Sequence, residues 1–563
     1  MAVADKPAAR SFVKGAAILS AAGIASRVMG LVYRVVLIRM IGAEGMGIYQ
    51  MAYPLYTIML VVSRSGIPVT LAKMIADRMA REENREAYQV FTMARVMSVV
   101  IGALFTLAMV ILAGPLINLL RLDPRAYYAI LAISPAVFIV SIMATYRGFF
   151  QGMQDMKPTA ASQIVEQLVR TITMIALAYF LLPLGLEFAA AGASFGAVTG
   201  ALAGLALLLF IYFRQRKKIF SFFSAKSSEG SGGDESPGED LKKGSIKTGS
   251  RKKILGEFAR LGIPITFGAL VRPLMNFVDW IFVPQRLQAA GFAMEEATTA
   301  YGLMTNVALP LINFPAILTV SLATSLVPAI SEAHSLEDPG LVGERSFTAL
   351  RLTVMLGIPA AVGMAVLAHP LSAVVFAEPD AASILLVMAW AAVFVTLQQT
   401  TSAILQGIGR TDIPARNLAA GAVVNAGLNF WLTGLPLFNI HGAAAATVAG
   451  FAAAAVLNFI SVARRVKDLG GLGYSALRAA AGSAIMGALV VFIHRILLRG
   501  LGDVIPLAEL AALLVAVAAG VVIYLALMII SGAVVKDDIL MIPGVGEDLT
   551  ALLTKWGILN DKL

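Results

Sequence analysis

The sequence predicts an all-α polytopic membrane protein of about fourteen transmembrane helices, built as two six-helix lobes in parallel repeat plus two C-terminal helices. Three observations carry that prediction. Hydrophobic residues make up 58% of the 563 positions and charged residues only 14%, too few charges to coat soluble domains. Apolar stretches of the roughly 20 residues needed to cross a bilayer recur from Val13 almost to Ser531. Glycine and proline landmarks repeat down the chain at a near-constant offset. An ordinary soluble enzyme is excluded. The chain has no cysteine, so disulfides, thiolate metal sites and cysteine nucleophiles are ruled out. Its histidines, His334, His369, His441 and His494, are too scattered to suggest ligand spacing, so no metal and no catalytic residue is expected.

The predicted spans are 13–40, 46–78, 89–113, 126–150, 158–182, 187–213, 254–285, 299–331, 347–369, 380–406, 414–433, 441–463, 474–498 and 506–530. The first has a basic end before an apolar stretch, as a secretory signal does. Its internal arginines and the lack of a compact cleavage site favour a retained helix. Of the 44 Lys and Arg residues, 31 fall on the face holding the N-terminus and 6 on the opposite face, which places both termini in the cytoplasm. The net charge of +10 is thereby accounted for by topology rather than by nucleic acid. Between the lobes, SSEGSGGDESPGEDLKKGSIKTGSRKK cannot bury a core and reads as a disordered basic cytoplasmic linker. The expected organisation is therefore an N-terminal lobe over 1–213, the linker over 214–253, a C-terminal lobe over 254–465, two added helices within 466–532 and a cytoplasmic tail over 533–563.

The lobes share landmarks. Gln151-Gly152 recurs as Gln406-Gly407 at an offset of 255, and Pro158 as Pro414 at 256. Gly47 and Pro54 recur as Gly302 and Pro310 at the same two offsets, 255 and then 256. Gly192-Ala193 parallels Gly442-Ala443, and Arg214 parallels Arg464, at 250. A separation of six spans preserves orientation, so the repeat is parallel, the kind that places a pathway between two rocking halves.

Charged residues inside the spans are the candidate site. Arg27 and Arg34 are seven residues apart, so both project from one face of the first helix. A central arginine facing lipid costs roughly 2.5–3.5 kcal/mol, so these should face protein or water. Arg64, before the Gly66-Ile67-Pro68 break, would join them in a cationic cluster suited to bidentate phosphate binding. Glu166 and Arg170 are spaced to neutralise each other as an i, i+4 ion pair. Arg272 and Asp279 share a face of the seventh helix, leaving Asp279 either Arg272's partner or a proton or cation site. Asn425, Asn429 and Thr447 are interhelical hydrogen-bonding residues or oxygen ligands of a Na+ site. No G-x-x-x-x-G-K-[ST] sequence is present, so ATP has no visible engine here.

SRVMGLVYRVVLIRMIGAEGMGIYQMAYPLY from Ser26 to Tyr56, SRSGIPVTLAKMIAD from Ser63 to Asp77 and RGFFQGMQDMKP from Arg147 to Pro158 resemble the multidrug/oligosaccharidyl-lipid/polysaccharide exporter superfamily. Within it they resemble the polysaccharide transporter branch that holds sporulation-type transporters and bacterial lipid II flippases. The resemblance implies a V-shaped pair of lobes in the bacterial plasma membrane that moves a polyprenyl-linked glycan to the outer leaflet by alternating access. It implies a transporter with no enzymatic activity and no bound cofactor. Arg27, Arg34 and Arg64 would grip the diphosphate, and the two added helices would extend a groove for the lipid tail. Asp279, Asn425, Asn429 and Thr447 are similar in placement to a coupling-ion site, although Asn429 stands where a carboxylate is expected. Na+, protons and the membrane potential all stay open as the coupling force. The expected cargo is an undecaprenyl-diphosphate-linked, lipid II-like peptidoglycan precursor for cell wall or spore cortex. Another lipid-linked polysaccharide unit or a multidrug export role are the transport alternatives, and a scaffold or glycan polymerase those of another class. Expected partners are the lipid-linked glycan, membrane lipids and cell-wall synthesis proteins.

Overall fold

The computed structural model describes residues 6–64, 66–224, 248–466, 469–501 and 508–533, and no strand occurs among them. The helices in chain order are α1 (Lys6–Arg64), α2 (Gly66–Ala80), α3 (Asn84–Leu119), α4 (Ala126–Ile133), α5 (Pro135–Gly152), α6 (Lys157–Leu181) and α7 (Leu186–Ser224). They continue as α8 (Thr248–Ala289), α9 (Met294–Leu303), α10 (Leu309–Ser335), α11 (Pro339–Val366), α12 (Ala381–Met388), α13 (Ala391–Gly407), α14 (Asp412–Leu432), α15 (Asn439–Ala463), α16 (Leu472–Leu501) and α17 (Ala508–Ile530). The predicted spans fall on these helices, several of them on broken pairs. α1 holds the first predicted span and most of the second, because Gly42 breaks it at φ 67° and ψ 178°, a left-handed backbone that favours glycine.

Ten helices among the described residues are long and apolar enough to cross a membrane, or eleven if α12 and α13, bent by 41° at their break, count as one span. The predicted count is larger by three, one of them the predicted span 254–285 in α8, which carries Arg260, Arg272 and Asp279 and is not among the ten. Val28–Ala80 passes as one stretch although it contains two predicted spans. α14 carries Arg416 and three asparagines, Asn417, Asn425 and Asn429, which lower its hydropathy.

The predicted linker over 214–253 is shorter than expected. α7 runs on to Ser224 and α8 begins at Thr248, leaving 225–247 of the linker, like 534–563 of the tail, outside the described residues. The contacts also divide the chain differently from the composition. A first unit holds the chain through Gln285 together with Ala293–Gly302, and a second holds Arg286–Phe292 and the chain from Leu303 onward. Most of α8 therefore belongs with the first unit, although sequence placed it in the C-terminal lobe. Specific contacts within that unit hold it. Arg78 donates to Glu257 at 2.8 Å, Gln285 donates to the Leu120 carbonyl at 2.6 Å, and Thr298 of α9 donates to Asp123 at 3.1 Å. Gly47 packs on the Thr298 carbonyl and Gly302 on the Ala43 carbonyl, a reciprocal small-xxx-small crossing of repeat-equivalent positions.

The repeat is visible in the packing inside each unit. A Cβ on Gly152 would stand 2.8 Å from the Cβ of Ile75, and one on Gly407 would stand 2.6 Å from the Cβ of Ile330. Gly102 packs on Ser141 in the same way that Gly357 packs on Thr396. Both members of each contact are displaced by 255 residues, the sequence offset. One of the two steps from 255 to 256, that between Gly302 and Pro310, coincides with a local change of helix. Between Gly302 and Pro310 the chain forms a π-helical turn, Met304–Ala308, and a π-bulge is how a helix accommodates one inserted residue. In the second unit α16 and α17 pack on α11, where the Tyr524 hydroxyl donates to the Met355 carbonyl at 2.9 Å.

These contacts predict opposite signs for two glycine substitutions. Gly152→Ala is expected to destabilise by about 1–3 kcal/mol through overpacking against Ile75 and the Ala72 carbonyl. Gly427→Ala, with nothing within 4 Å of the added Cβ, should be neutral or stabilising by up to about 1 kcal/mol. Thermal unfolding in detergent checks both.

Candidate functional site

The site is built from α1, α5 and α6 within the first unit. Tyr49, Tyr53 and Tyr56 follow one another at helical spacing along α1, so their rings share a face. The Tyr49 hydroxyl donates to that of Tyr53 at 2.6 Å, and the Tyr53 and Tyr56 rings meet edge to face with centroids 5.8 Å apart. Arg34 comes to this phenolic group from the N-terminal half of α1. It is half-buried, bonded to Tyr33, with Tyr49 and Tyr53 in electrostatic reach. Arg170 comes to it from α6 and donates to the Tyr53 hydroxyl, its guanidinium carbon 5.8 Å from that ring's centroid.

Arg64, the last residue of α1, is half-buried and faces a second group, with Tyr56, Glu166 and Arg147 as its electrostatic neighbours. Here the pairing differs from the sequence expectation. Glu166 accepts from Arg147 of α5 at 2.7 Å, with side chains only 21% and 11% exposed, and Arg147 Nε also donates to Ser162 at 2.9 Å. The expected Glu166 to Arg170 ion pair is thereby replaced. An i, i+4 spacing brings two residues to one helix face, but α5 packs along that face and presents a nearer guanidinium. Among the described residues, no carboxylate forms an ion pair with Arg34, Arg64 or Arg170.

The arrangement can therefore hold an anion. Half-buried guanidinia set among phenols retain their attraction for negative charge, and their forked donors match phosphate and carboxylate oxygens. The backbone of Arg27 continues α1 one heptad before Arg34, and its side chain lies outside the described residues, as does that of Arg272.

The candidate coupling-ion residues are distributed over both units. Asp279 of α8 is 6% exposed in the first unit, with the buried Tyr301 in its electrostatic reach. Asn425, Asn429 and Thr447 are buried in the second unit. There the Asn429 amide donates to the Asn425 side-chain oxygen at 3.1 Å, Thr433 donates to the Asn429 oxygen at 2.9 Å, and Thr447 donates to its own helix at Ala443. Helix-to-self hydrogen bonding thus occupies three of the proposed oxygen groups. No cluster of three or more His, Asp or Glu suited to a metal occurs among the described residues.

Sequence reasoning missed Arg147 as a member of the site, treated Arg170 only as half of an ion pair, and passed over the tyrosines. The i, i+4, i+7 tyrosine stripe in GIYQMAYPLY was the available signal. The exchanged partner is open to a double-mutant cycle. Glu166→Gln with Arg147→Gln is expected to show a coupling of about 1–3 kcal/mol in thermal unfolding, and Glu166→Gln with Arg170→Gln less than about 0.5 kcal/mol.

The polysaccharide biosynthesis protein family matches residues 12–334 and the MatE family residues 264–431. Stage V sporulation protein B of Bacillus subtilis (strain 168) is 32% identical over 548 residues, covering 96% of this chain and 99% of that protein. Lipid II flippase MurJ of the same organism is 29% identical over 470 residues, covering 80% of this chain and 82% of its own. A solved structure of lipid II flippase MurJ, in an inward closed conformation, aligns with TM-score 0.64 at 16% identity over 90% of this chain and 97% of that one. An inward-facing MATE family multidrug resistance transporter aligns with TM-score 0.60 at 16% identity over 80% and 96% of the two chains. These likenesses agree in fold with the all-α, multi-pass architecture. The chain belongs to the polysaccharide biosynthesis protein family.

Proposed function

We propose that this protein is a flippase that moves an undecaprenyl-diphosphate-linked peptidoglycan precursor, lipid II-like, from the inner to the outer leaflet of a bacterial plasma membrane. The observation that carries the proposal is the set of half-buried arginines, Arg34, Arg64 and Arg170, that have tyrosine neighbours but no paired carboxylate. A flippase must take a charged headgroup out of water, and fixed guanidinia replace the lost hydration of the diphosphate. Arg27, Arg34 and Arg64 are the proposed diphosphate contacts. Alternating access is the proposed cycle, with both termini cytoplasmic, and the work serves cell-wall or spore-cortex assembly. The similarity to stage V sporulation protein B and to lipid II flippase MurJ supports this reading.

A multidrug export role fits the site less well, because cationic drugs would meet the same arginines. Coupling to Na+ through Asp279, Asn425, Asn429 and Thr447 is a separate proposal, weakened by the mutual hydrogen bonds of the two asparagines. Protons and the membrane potential are the other driving forces to compare.

Reconstituted into proteoliposomes, the wild-type protein should translocate lipid II. Arg64→Ala and Arg34→Ala, at matched amounts of folded protein, should each slow translocation about tenfold or more, the usual cost of losing a charged hydrogen-bonding partner. Failure of the folded wild type to translocate lipid II, with and without ion gradients and potential, would refute the proposal.

A further inference from the structure

The charge of this arginine cluster exceeds what a diphosphate needs. A polyprenyl diphosphate diester brings one negative charge on each phosphate. Arg34, Arg64 and Arg170 already offer one positive charge more, because Glu166, the carboxylate in reach of Arg64, is bonded to Arg147. A surplus cation in a low-dielectric interior is costly unless the bound state neutralises it.

Arg170 is the residue left over. It lies thirteen residues into α6, about 20 Å along the helix axis, well inside the span Lys157–Leu184. Its guanidinium is fixed at one end by the bond to the Tyr53 hydroxyl, while its Nε is buried and has no hydrogen-bond acceptor. Tyr33, Tyr49 and Tyr56 are also among its electrostatic neighbours. Tyr56 has both Arg170 and Arg64 in its electrostatic reach.

Resting on the flippase reading, we propose that Arg170 is a specificity-determining contact that binds a carboxylate on the glycan headgroup, separate from the diphosphate. Tyr53 is its positioning residue, holding the guanidinium so that its remaining donors face the headgroup. The site then selects lipid-linked glycans that carry a further acidic group over glycans that are neutral beyond their diphosphate. The carboxylate and the guanidinium form a charge-assisted pair in which no covalent bond changes.

The test compares two probes in proteoliposomes: lipid II with its free peptide carboxylates, and the same molecule with those carboxylates amidated. Wild type is expected to move the acidic probe about tenfold faster than the amidated one. Arg170→Gln should bring that ratio close to one, Arg170→Lys should restore part of it, and Arg64→Gln should slow both probes together while keeping the ratio. Tyr53→Phe retains the ring and removes the anchoring hydroxyl, so it should lower the ratio even if Arg170→Gln fails to fold. An Arg170→Gln or Tyr53→Phe protein that keeps the wild-type ratio overturns the proposal, as does a wild type that does not distinguish the probes. Transport of neither probe by folded wild type overturns the flippase reading itself, and this proposal with it.

Discussion

The bond between Glu166 and Arg147 decides the character of the first unit. Both side chains are mostly buried, and the pair removes from circulation the one carboxylate that lies within a helical turn of Arg170. A buried charge left without a partner is expensive, so the pair stabilises α5 against α6. The same pairing leaves Arg34, Arg64 and Arg170 to be solvated by tyrosines. Phenols donate and accept hydrogen bonds and offer a π face, but they do not cancel charge. The unit therefore keeps its helices together through one neutralised pair while remaining positive where a headgroup would lie.

The fold was legible from two periodicities. Hydrophobic length gave the spans, and small residues at a repeating offset gave the internal repeat. The structure explains why the repeat signal resided in glycines. Gly152 and Gly407 sit where a neighbouring isoleucine leaves no room for a Cβ, so close packing is written directly into residue identity. The one-residue slip between Gly302 and Pro310 was legible too, but only as arithmetic; its realisation as the π turn Met304–Ala308 depends on backbone hydrogen bonding that the sequence does not display. The placement of α8 was not legible. Polar composition marks where a chain can be exposed, whereas the contacts of Glu257, Gln285 and Thr298 with the first unit are long-range choices.

The candidate site was readable in residue type and less so in pairing. Intramembrane arginines on one helix face announce a cationic surface because lipid exposure is so unfavourable to them. Which acid meets which base is a different question. Glu166 and Arg170 are neighbours in sequence, but the helix that packs across them offers Arg147, and tertiary proximity prevails over a local pairing worth only a few tenths of a kcal/mol. Tyr49, Tyr53 and Tyr56 look like ordinary packing residues until Arg34 and Arg170 are placed beside them. The asparagines of α14 show the converse. Their spacing fits a ligand set, yet it equally brings them within hydrogen-bonding distance of one another, and that is the contact present.

The most direct test of the account is equilibrium binding to the purified protein in lipid nanodiscs, comparing an undecaprenyl-diphosphate-linked glycan with the same glycan on a chain lacking the diphosphate. The uncompensated arginines predict binding at least about tenfold tighter for the diphosphate form, weakening as salt is raised. Equal affinity for the two, or affinity indifferent to salt, would contradict an arginine site that holds an anion.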